Sequence, residues 1–330
     1  MDQRVLGRTE RPVSVVGLGT WQLGADWGEV LESDALAVLD AAVEEGVTVV
    51  DTADVYGDGR SETLIGRYLT DHPDSLITVM TKMGRRVDQI PENYTLDNFR
   101  AWTDRSRRNL GVDQLDLVQL HCPPTSVYSH DQVYDALDTL VDEGRIGAYG
   151  VSVETCDEAL TAISRRGTAT VQIILNAFRR KPLDDVLPAA ERNGVGIIAR
   201  VPLASGLLSG RYTAETTFAA NDHRTYNRHG EAFDQGETFS GVDFTSGVRA
   251  AQEFTRLVGE LPFSATPAQA ALAWVIQQPG VTTVIPGARS PEQARLSAAA
   301  SGLPALPADF LAAVAELYDR ELRASIHPRW

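Results

Sequence analysis

The sequence has few cysteines and no long apolar run. Cys122 and Cys156 are the two cysteines among 330 residues, too few for a disulfide framework and typical of a reducing compartment. No stretch reaches the roughly 18 consecutive apolar residues that a transmembrane helix needs. The N-terminal segment also lacks the apolar core of a secretory signal peptide. We therefore expect a cytoplasmic protein that does not bind membranes.

Positive charge is also scarce. The chain has 30 lysines and arginines against 45 aspartates and glutamates, for a net charge of −15. Because nucleic acids and membrane surfaces are themselves anionic, this balance argues against both as partners. A small anionic ligand remains possible, since it needs only a local group of cations. Only Lys82 and Lys181 are lysines, which suggests a particular chemical reason for each.

Eight short runs rich in β-branched residues alternate with longer amphipathic segments. Most of these runs are almost continuously apolar, which is typical of strands buried on both faces of a parallel sheet. The predicted strands cover residues 13–20, 47–54, 76–82, 115–121, 146–153, 169–176, 195–201 and 281–287. The predicted helices cover residues 33–45, 61–70, 95–110, 131–143, 155–166, 184–193, 266–278, 290–300 and 307–323. The alternation predicts an α/β fold, a (β/α)8 TIM barrel, with an open doubly wound sheet as the alternative.

The connection after the seventh predicted strand, about residues 203–265, is too long for a plain loop. It is rich in polar and aromatic residues and contains a predicted helix at 246–260. In a barrel, a long connection at this position lies on the catalytic face and often forms a lid or a binding loop. A disordered excursion is the alternative.

Polar side chains end three successive predicted strands. Asp51 and Tyr56 follow the second strand, Lys82 ends the third and His121 ends the fourth. In a barrel these strand ends share one rim, where active sites lie. A free tyrosine has a pKa near ~10, and a neighbouring ammonium lowers it. Lys82 would supply that charge, Asp51 would balance it, and His121 would orient a substrate oxygen, so these four residues predict proton transfer at a carbonyl.

Over nearly its whole length the chain resembles the aldo-keto reductase superfamily, and in particular a bacterial branch with an IPGAR motif. The matching segments are Gly17–Trp21, Asp51–Gly57, Thr81-Lys82, Asp116–His121, Gly150–Ser152, Gln172, Pro202–Gly210 and Ile285–Arg289. The resemblance implies a barrel that reduces aldehydes or ketones with a nicotinamide cofactor. It makes Asp51, Tyr56, Lys82 and His121 the catalytic residues, with Tyr56 as the proton donor.

The resemblance also implies where the cofactor binds. Ser152 and Gln172 would surround the nicotinamide carboxamide, the loop after the seventh strand would follow the pyrophosphate, and the eighth strand with its helix would hold the adenosine end. The cofactor residues implied are Gly19, Thr20, Trp21, Asp51, Ser152, Gln172, Arg200, Val201, Pro202, Leu203, Ser205, Gly206, Leu207, Ser209, Arg211, Gly287, Ala288, Arg289 and Gln293. Three positions depart from the common pattern: Val153 and Ser297 stand where asparagine is frequent, and Arg200 stands where an aromatic ring often stacks on the nicotinamide.

Arg289 gives the adenosine end an independent physical basis. It precedes a helix that opens at Ser290-Pro291, and a helix N-terminus presents free N–H groups to an anion. An arginine beside those donors suits a 2′-phosphate, with Arg211 as a second candidate. We therefore predict NADP(H) rather than NAD(H).

Other functions fit less well. Gly17-Leu-Gly19 lacks the third glycine of a Rossmann fingerprint, and no P-loop occurs. Asp222, His223 and His229 have no recognised metal spacing, so no metal is predicted. A barrel aldolase with Lys82 as Schiff-base nucleophile and an NADPH-binding, redox-sensing accessory subunit with little turnover remain as alternatives.

We interpret residues 1–330 as one barrel domain with an N-terminal β-hairpin over residues 5–16 and an extra C-terminal helix. Trp21, Tyr56 and His121 are the predicted substrate contacts, and Trp27, Tyr128 and Phe233 are further candidates for the pocket wall. The predicted partner is a small carbonyl compound, and the predicted assembly is a monomer or a weak homo-oligomer.

Overall fold

The computed structural model describes residues 1–24 and 30–330. Two antiparallel strands form a hairpin, and eight parallel strands follow one another around a closed sheet. The strands are β1 (Gln3–Val5), β2 (Pro12–Ser14), β3 (Leu18–Gly19), β4 (Val49–Asp51), β5 (Thr78–Met83), β6 (Leu115–His121), β7 (Ile146–Ser152), β8 (Thr168–Ile174), β9 (Gly196–Arg200) and β10 (Val281–Val284). Single parallel bridges from Val16 to Val284 and from Gly19 to Gly287 join the first barrel strand to the last. The predicted (β/α)8 barrel is confirmed.

Helices cover the outside of the barrel. They are α1 (Glu32–Glu44), α2 (Arg60–Asp71), α3 (Leu96–Leu110), α4 (Asp131–Asp142), α5 (Cys156–Ile163), α6 (Val186–Asn193), α7 (His223–Tyr226), α8 (Phe244–Gly259), α9 (Pro267–Ile276), α10 (Pro291–Ala298), α11 (Ala308–Glu321) and α12 (Arg323–Ile326). The predicted extra C-terminal helix at 307–323 is α11. Within the described residues, no helix combines the length and apolar character needed to cross a membrane.

One predicted strand is divided between the hairpin and the barrel. The apolar pattern at 13–20 predicts a single strand, but β2 pairs with β1 in the hairpin, and the barrel begins only at β3. Ser14 explains the break, because its hydroxyl donates to the Val16 carbonyl at 2.7 Å and accepts from the Thr48 amide at 2.9 Å. These side-chain bonds turn the backbone away from a straight strand. Leu6 and Val13 of the hairpin region then join a small core cluster with apolar residues of the barrel strands.

The long connection after β9 is packed against the barrel. It begins with a 3₁₀ segment at Ala204–Ser209, includes α7 and ends in α8, close to the predicted helix at 246–260. An aromatic cluster holds it together, made of Tyr212, Phe218, Phe239 and Phe244. We call residues 211–243 the cover segment.

Candidate active site

The four predicted catalytic residues meet at the carboxyl ends of three adjacent strands. Asp51 ends β4, Lys82 lies near the end of β5, His121 ends β6, and Tyr56 begins a 3₁₀ turn after β4. The Lys82 ammonium donates to Asp51 Oδ2 at 2.5 Å and lies 3.4 Å from the Tyr56 hydroxyl. The His121 ring packs edge-on against Tyr56, with centroids 5.9 Å apart. The structure therefore brings all four side chains together.

The turn that carries Tyr56 depends on the glycine after it. Gly57 has a φ of 57°, in the left-handed region that favours glycine. A Cβ at this position would also lie 2.0 Å from the Gly24 carbonyl oxygen. No other residue fits this turn without moving the backbone, which explains why Tyr-Gly follows the strand here.

Burial and opposite charge set the protonation of the lysine. Burial alone would lower the pKa of Lys82, but the neighbouring Asp51 and Tyr56 raise it above its usual value. Lys82 therefore stays charged. The pKa of Tyr56 is raised by burial, although Lys82 opposes the shift. Lys82 lowers the pKa of Tyr56, as the sequence predicts. Burial has the larger effect, so the pKa of Tyr56 rises overall, whereas the sequence predicts that it falls.

His121 is neutral at physiological pH. Burial lowers its pKa well below the usual value, and the positive charges of Arg85, Lys82 and Arg200 lower it further. Its Nδ1 has no hydrogen-bond partner among the described residues. A neutral imidazole carries one ring N–H, which is the group needed to donate a hydrogen bond to a carbonyl oxygen.

Aromatic rings form one wall beside Tyr56. Trp21 stacks on Tyr56, with ring centroids 6.1 Å apart. Its ring also contacts His223 and Phe233, with centroids 5.2 Å and 5.9 Å away. His223 and Phe233 belong to the cover segment, which therefore reaches the tryptophan that stacks on Tyr56. Tyr128 is not part of this wall, because it is fully buried and its hydroxyl donates to the Ser152 carbonyl. Trp27 lies outside the described residues.

Comparison with known proteins identifies the family. The sequence profile of the Aldo/keto reductase family matches residues 15–319. The chain belongs to this family. It is 27% identical to an aldo-keto reductase of Bacillus subtilis over 89% of this chain and 86% of that protein. It is 33% identical to an uncharacterized oxidoreductase of Mycobacterium bovis over 88% of this chain and 85% of that protein. The predictions of an aldo-keto reductase and of an oxidoreductase are confirmed.

Solved structures give the same result for the fold. A glycerol dehydrogenase from Gluconobacter oxydans superposes with a TM-score of 0.80 at 29% identity, covering 100% of this chain and 98% of that one. An aldo-keto reductase from Klebsiella pneumoniae in complex with NADPH superposes with a TM-score of 0.71 at 26% identity, covering 96% and 95% of the two chains.

Two predicted nicotinamide residues of this reductase lie next to the predicted catalytic residues. Gln172 Nε2 donates to Asp51 Oδ1 at 2.7 Å, and Ser152 Oγ lies 3.5 Å from Cys122 Sγ. Gln119 also donates to Asp51 Oδ1, at 3.3 Å. Sequence reasoning missed Gln119, although a buried polar residue inside the apolar run 115–121 was a usable signal.

Other predicted cofactor residues line the same rim. Thr20 donates to the Asp51 carbonyl through both its amide and its hydroxyl. The loop after β9 has left-handed backbone at Val201, Ser205 and Gly206, so it turns sharply over the strand end. Pro202, Leu207 and Ala288 are buried, whereas Leu203 and Ser209 are half-buried.

The predicted phosphate site lies at the start of α10. Arg289 is exposed there, and its amide donates to Gln293 Oε1 at 2.8 Å. The Ser290 hydroxyl caps the helix by accepting from the Gln293 amide. Arg211, the second candidate, is also exposed at the start of the cover segment.

Arg200 takes part in a buried ionic cluster that the sequence did not reveal. Its Nη2 donates to Glu154 Oε2 at 2.9 Å and to the Val153 carbonyl at 3.0 Å. Glu237 of the cover segment accepts from Arg85 at 2.9 Å and lies 3.8 Å from Arg200. We call Arg85, Glu154, Arg200 and Glu237 the ionic cluster.

Cys122 Sγ and carboxylate oxygens of Glu154 and Glu237 lie within 4.8 Å of one another, a spacing suited to a metal ion. Both carboxylates already contact guanidinium groups. Those positive charges oppose a bound cation at the same point.

Proposed function

We propose that this reductase converts an aldehyde or ketone to the alcohol, with hydride from NADPH and a proton from Tyr56. The observation that carries the proposal is the buried contact of Lys82 with both Asp51 and the Tyr56 hydroxyl. The cofactor is NADP(H), and the NADPH complex of the Klebsiella relative supports this assignment. When bound, NADPH supplies the hydride to the carbonyl carbon.

The proton transfer has a separate role for each of Tyr56, Lys82, Asp51 and His121. Tyr56 gives its hydroxyl proton to the substrate oxygen as that oxygen becomes an alkoxide. The resulting phenolate is stabilised by Lys82, which remains charged because Asp51 holds its proton in place. His121 donates a hydrogen bond that orients the carbonyl. Positioned acid–base groups of this kind contribute about 10²–10⁴ in rate.

The described residues fit NADPH at both ends. Ser152 and Gln172 are buried polar side chains at the rim, suited to a carboxamide. At the other end, Arg289 precedes the N-terminus of α10, where the positive end of the helix dipole and a guanidinium suit the 2′-phosphate. Arg211 is the second cation for a phosphate.

A Schiff-base aldolase is disfavoured by the same geometry. A lysine nucleophile must lose its proton near neutral pH, which requires a lowered pKa. The pKa of Lys82 is raised, because the effects of Asp51 and Tyr56 together outweigh that of burial. Lys82 is therefore suited to hold a charge and not to attack a carbonyl.

Two measurements test the proposal. Titration of the protein with NADPH and with NADH, followed by quenching of tryptophan fluorescence, should give tighter binding of NADPH. Comparable affinities would remove the 2′-phosphate assignment of Arg289.

The Tyr56→Phe variant should lose reduction by about 10²–10⁴ and keep its NADPH affinity, since only the proton donor is removed. Unchanged turnover in that variant would contradict the role of Tyr56.

A further inference from the structure

The ionic cluster lies directly beside the catalytic residues. Arg85 follows β5, Glu154 follows β7 and Arg200 ends β9, whereas Glu237 comes from the cover segment. Each of these side chains is less than a fifth exposed, from 9% for Arg200 to 18% for Arg85. Glu237 is thus the member that reaches the rim from outside the barrel.

Together with Arg179, the ionic cluster holds more guanidinium groups than carboxylates. Arg179 is 2% exposed and adds a third guanidinium, which donates to the Glu154 carbonyl oxygen at 2.6 Å. Within the part of the chain that the structure describes, no carboxylate forms a salt bridge with Arg179, although the charge of Asp234 acts on it, so the three guanidiniums have two directly paired acids. Burial, and the nearby Glu237, raise the pKa of Glu154 to about 7, which reduces the negative charge further. Buried charges without partners are costly, so this surplus favours an anionic ligand.

Two of these guanidiniums keep unused donors. Arg200 Nε and Arg179 Nη1 are buried and have no hydrogen-bond partner among the described residues. A buried donor without an acceptor costs roughly 1–3 kcal/mol. An anion would balance the surplus positive charge and would also accept hydrogen bonds from these two donors. Both observations therefore indicate an anionic ligand.

The position of Arg85 connects this surplus to the reaction. Its Nε donates to the backbone carbonyl of His121 at 3.2 Å, so its guanidinium contacts the residue whose imidazole we propose to orient the substrate. The charge of Glu237 in turn affects the pKa of Tyr56. An anion bound by Arg85 and Arg200 would therefore lie within the reach of a small substrate whose carbonyl contacts Tyr56.

We propose that Arg85 and Arg200 form a subsite for a carboxylate of the substrate, and that the Glu237 carboxylate beside them competes with the substrate for the two guanidiniums. The inference rests on the proposed carbonyl reduction and narrows its substrate class. The preferred substrates are carbonyl compounds that carry a carboxylate a few carbons away, such as oxo acids, acid semialdehydes and uronic acids. Arginine is suited to this role, because its planar fork binds a carboxylate through two parallel hydrogen bonds.

Matched substrates test the subsite. We would measure kcat/KM for 4-carboxybenzaldehyde against methyl 4-formylbenzoate, and for succinic semialdehyde against butanal. In the parent protein the acid of at least one pair should be preferred by about tenfold or more. Arg85→Gln should reduce this acid-to-neutral ratio about 10- to 100-fold, as expected for the loss of a charge-assisted hydrogen bond.

Arg86→Gln is the matched control. Arg86 is the next residue in the chain, and it pairs with Asp58 outside the ionic cluster. The acid-to-neutral ratio should stay at the parent value in this variant. A comparable loss in both arginine variants would mean that the general charge of the region, and not the subsite, selects the acid.

Glu237→Gln tests the same idea in the opposite direction and does not depend on the folding of the Arg85 variant. Removing the internal carboxylate should raise the acid-to-neutral ratio several-fold, mainly through a lower KM for the acid. No preference for either acid, or a ratio unchanged in both Arg85→Gln and Glu237→Gln, would overturn the subsite.

A phosphate of the cofactor has the same chemistry as a carboxylate. If Arg85→Gln weakens NADPH binding and leaves the ratio unchanged, the anion belongs to the cofactor and the inference is wrong. Reduction of neither member of any pair would contradict the proposed function itself, and the inference with it. Preference for the neutral member with full turnover would contradict the inference alone.

Discussion

Asp54 lies two residues before Tyr56 and is 1% exposed. Burial and the nearby Glu62 raise its pKa to about 7, although the guanidinium groups of Arg86 and Arg105 oppose the shift. An unfolded aspartate has a pKa of about 3.9, so the folded state holds this proton over a range where the unfolded chain has lost it. The stability from Asp54 is therefore complete below about pH 4 and is lost as the pH rises towards 7.

Asp54→Asn should remove this pH dependence, because an amide resembles the protonated acid and does not titrate. Between pH 5 and pH 8 the free energy of unfolding of the variant should rise relative to the parent by roughly 3 kcal/mol. Urea unfolding at the two pH values measures the change, with the exposed Asp97→Asn as control. An equal difference from the parent at both pH values would show that Asp54 ionises normally.

At the residue scale, the sequence was informative where a polar residue ends an apolar run. Asp51, Lys82 and His121 were predicted as catalytic residues in this way, because a strand end in a barrel is also an active-site position. Arg85 and Glu237 were not found, since 152 positions separate them and their contact depends on the path of the cover segment. The guanidinium of Arg200 forms a salt bridge with Glu154, and no pattern in the strand sequences indicates this pairing.

At the scale of elements, the cover segment is fastened by the last residues of the chain. The Trp330 indole donates to Asp234 Oδ1 at 2.9 Å, and its ring packs on the Arg179 guanidinium at 4.3 Å. Arg329 donates to Gln235 Oε1 at 2.6 Å. Through Arg179, Trp330 is also connected to Glu154 and the ionic cluster. Trp330 is thus placed to hold Glu237 in its position near the catalytic residues.

Trp330→Ala should release the cover segment, because it removes both the ring contact and the hydrogen bond. We expect backbone amides of residues 234–241 to exchange with deuterium at least about tenfold faster, with amides of β5 and β6 unchanged. Trp330→Phe keeps a ring on Arg179 and loses only the hydrogen bond, so its effect should be smaller, about 2- to 12-fold. Exchange at the parent rate in Trp330→Ala would show that other contacts hold the segment.

The elements themselves were largely predictable. Periodicity and length placed a helix at 246–260, close to α8 at Phe244–Gly259, because an amphipathic helix is a local property. The fastening at Trp330 was not predictable, since a single tryptophan next to Arg329 has no periodic pattern. Contacts between distant segments depend on tertiary packing, which the sequence pattern does not show.

At the scale of the whole molecule, the barrel closes at its shortest strand. β3 has two residues, and its junction with β10 consists of single bridges supported by the Gly17 amide, which donates to the Val284 carbonyl at 2.8 Å. Gly17 lies where this junction meets β4. A Cβ on Gly17 would lie 2.7 Å from Val49 Cγ1, 3.0 Å from the Val49 carbonyl oxygen and 3.2 Å from Ile285 Cγ2.

Gly17→Ala should therefore force the closing strands apart. Val49 and Ile285 are both buried, and one of the three close atoms is the backbone oxygen of Val49, so movement of side chains alone cannot accommodate the extra methyl group. Overpacking of this kind typically lowers the free energy of unfolding by about 1–3 kcal/mol. We therefore expect a lower urea midpoint of unfolding. Gly259→Ala is the control, because its Cβ would meet nothing within 4 Å at the end of α8. Alanine should be neutral or stabilising there. Equal stability of the two variants would mean that the barrel adjusts at its junction without strain.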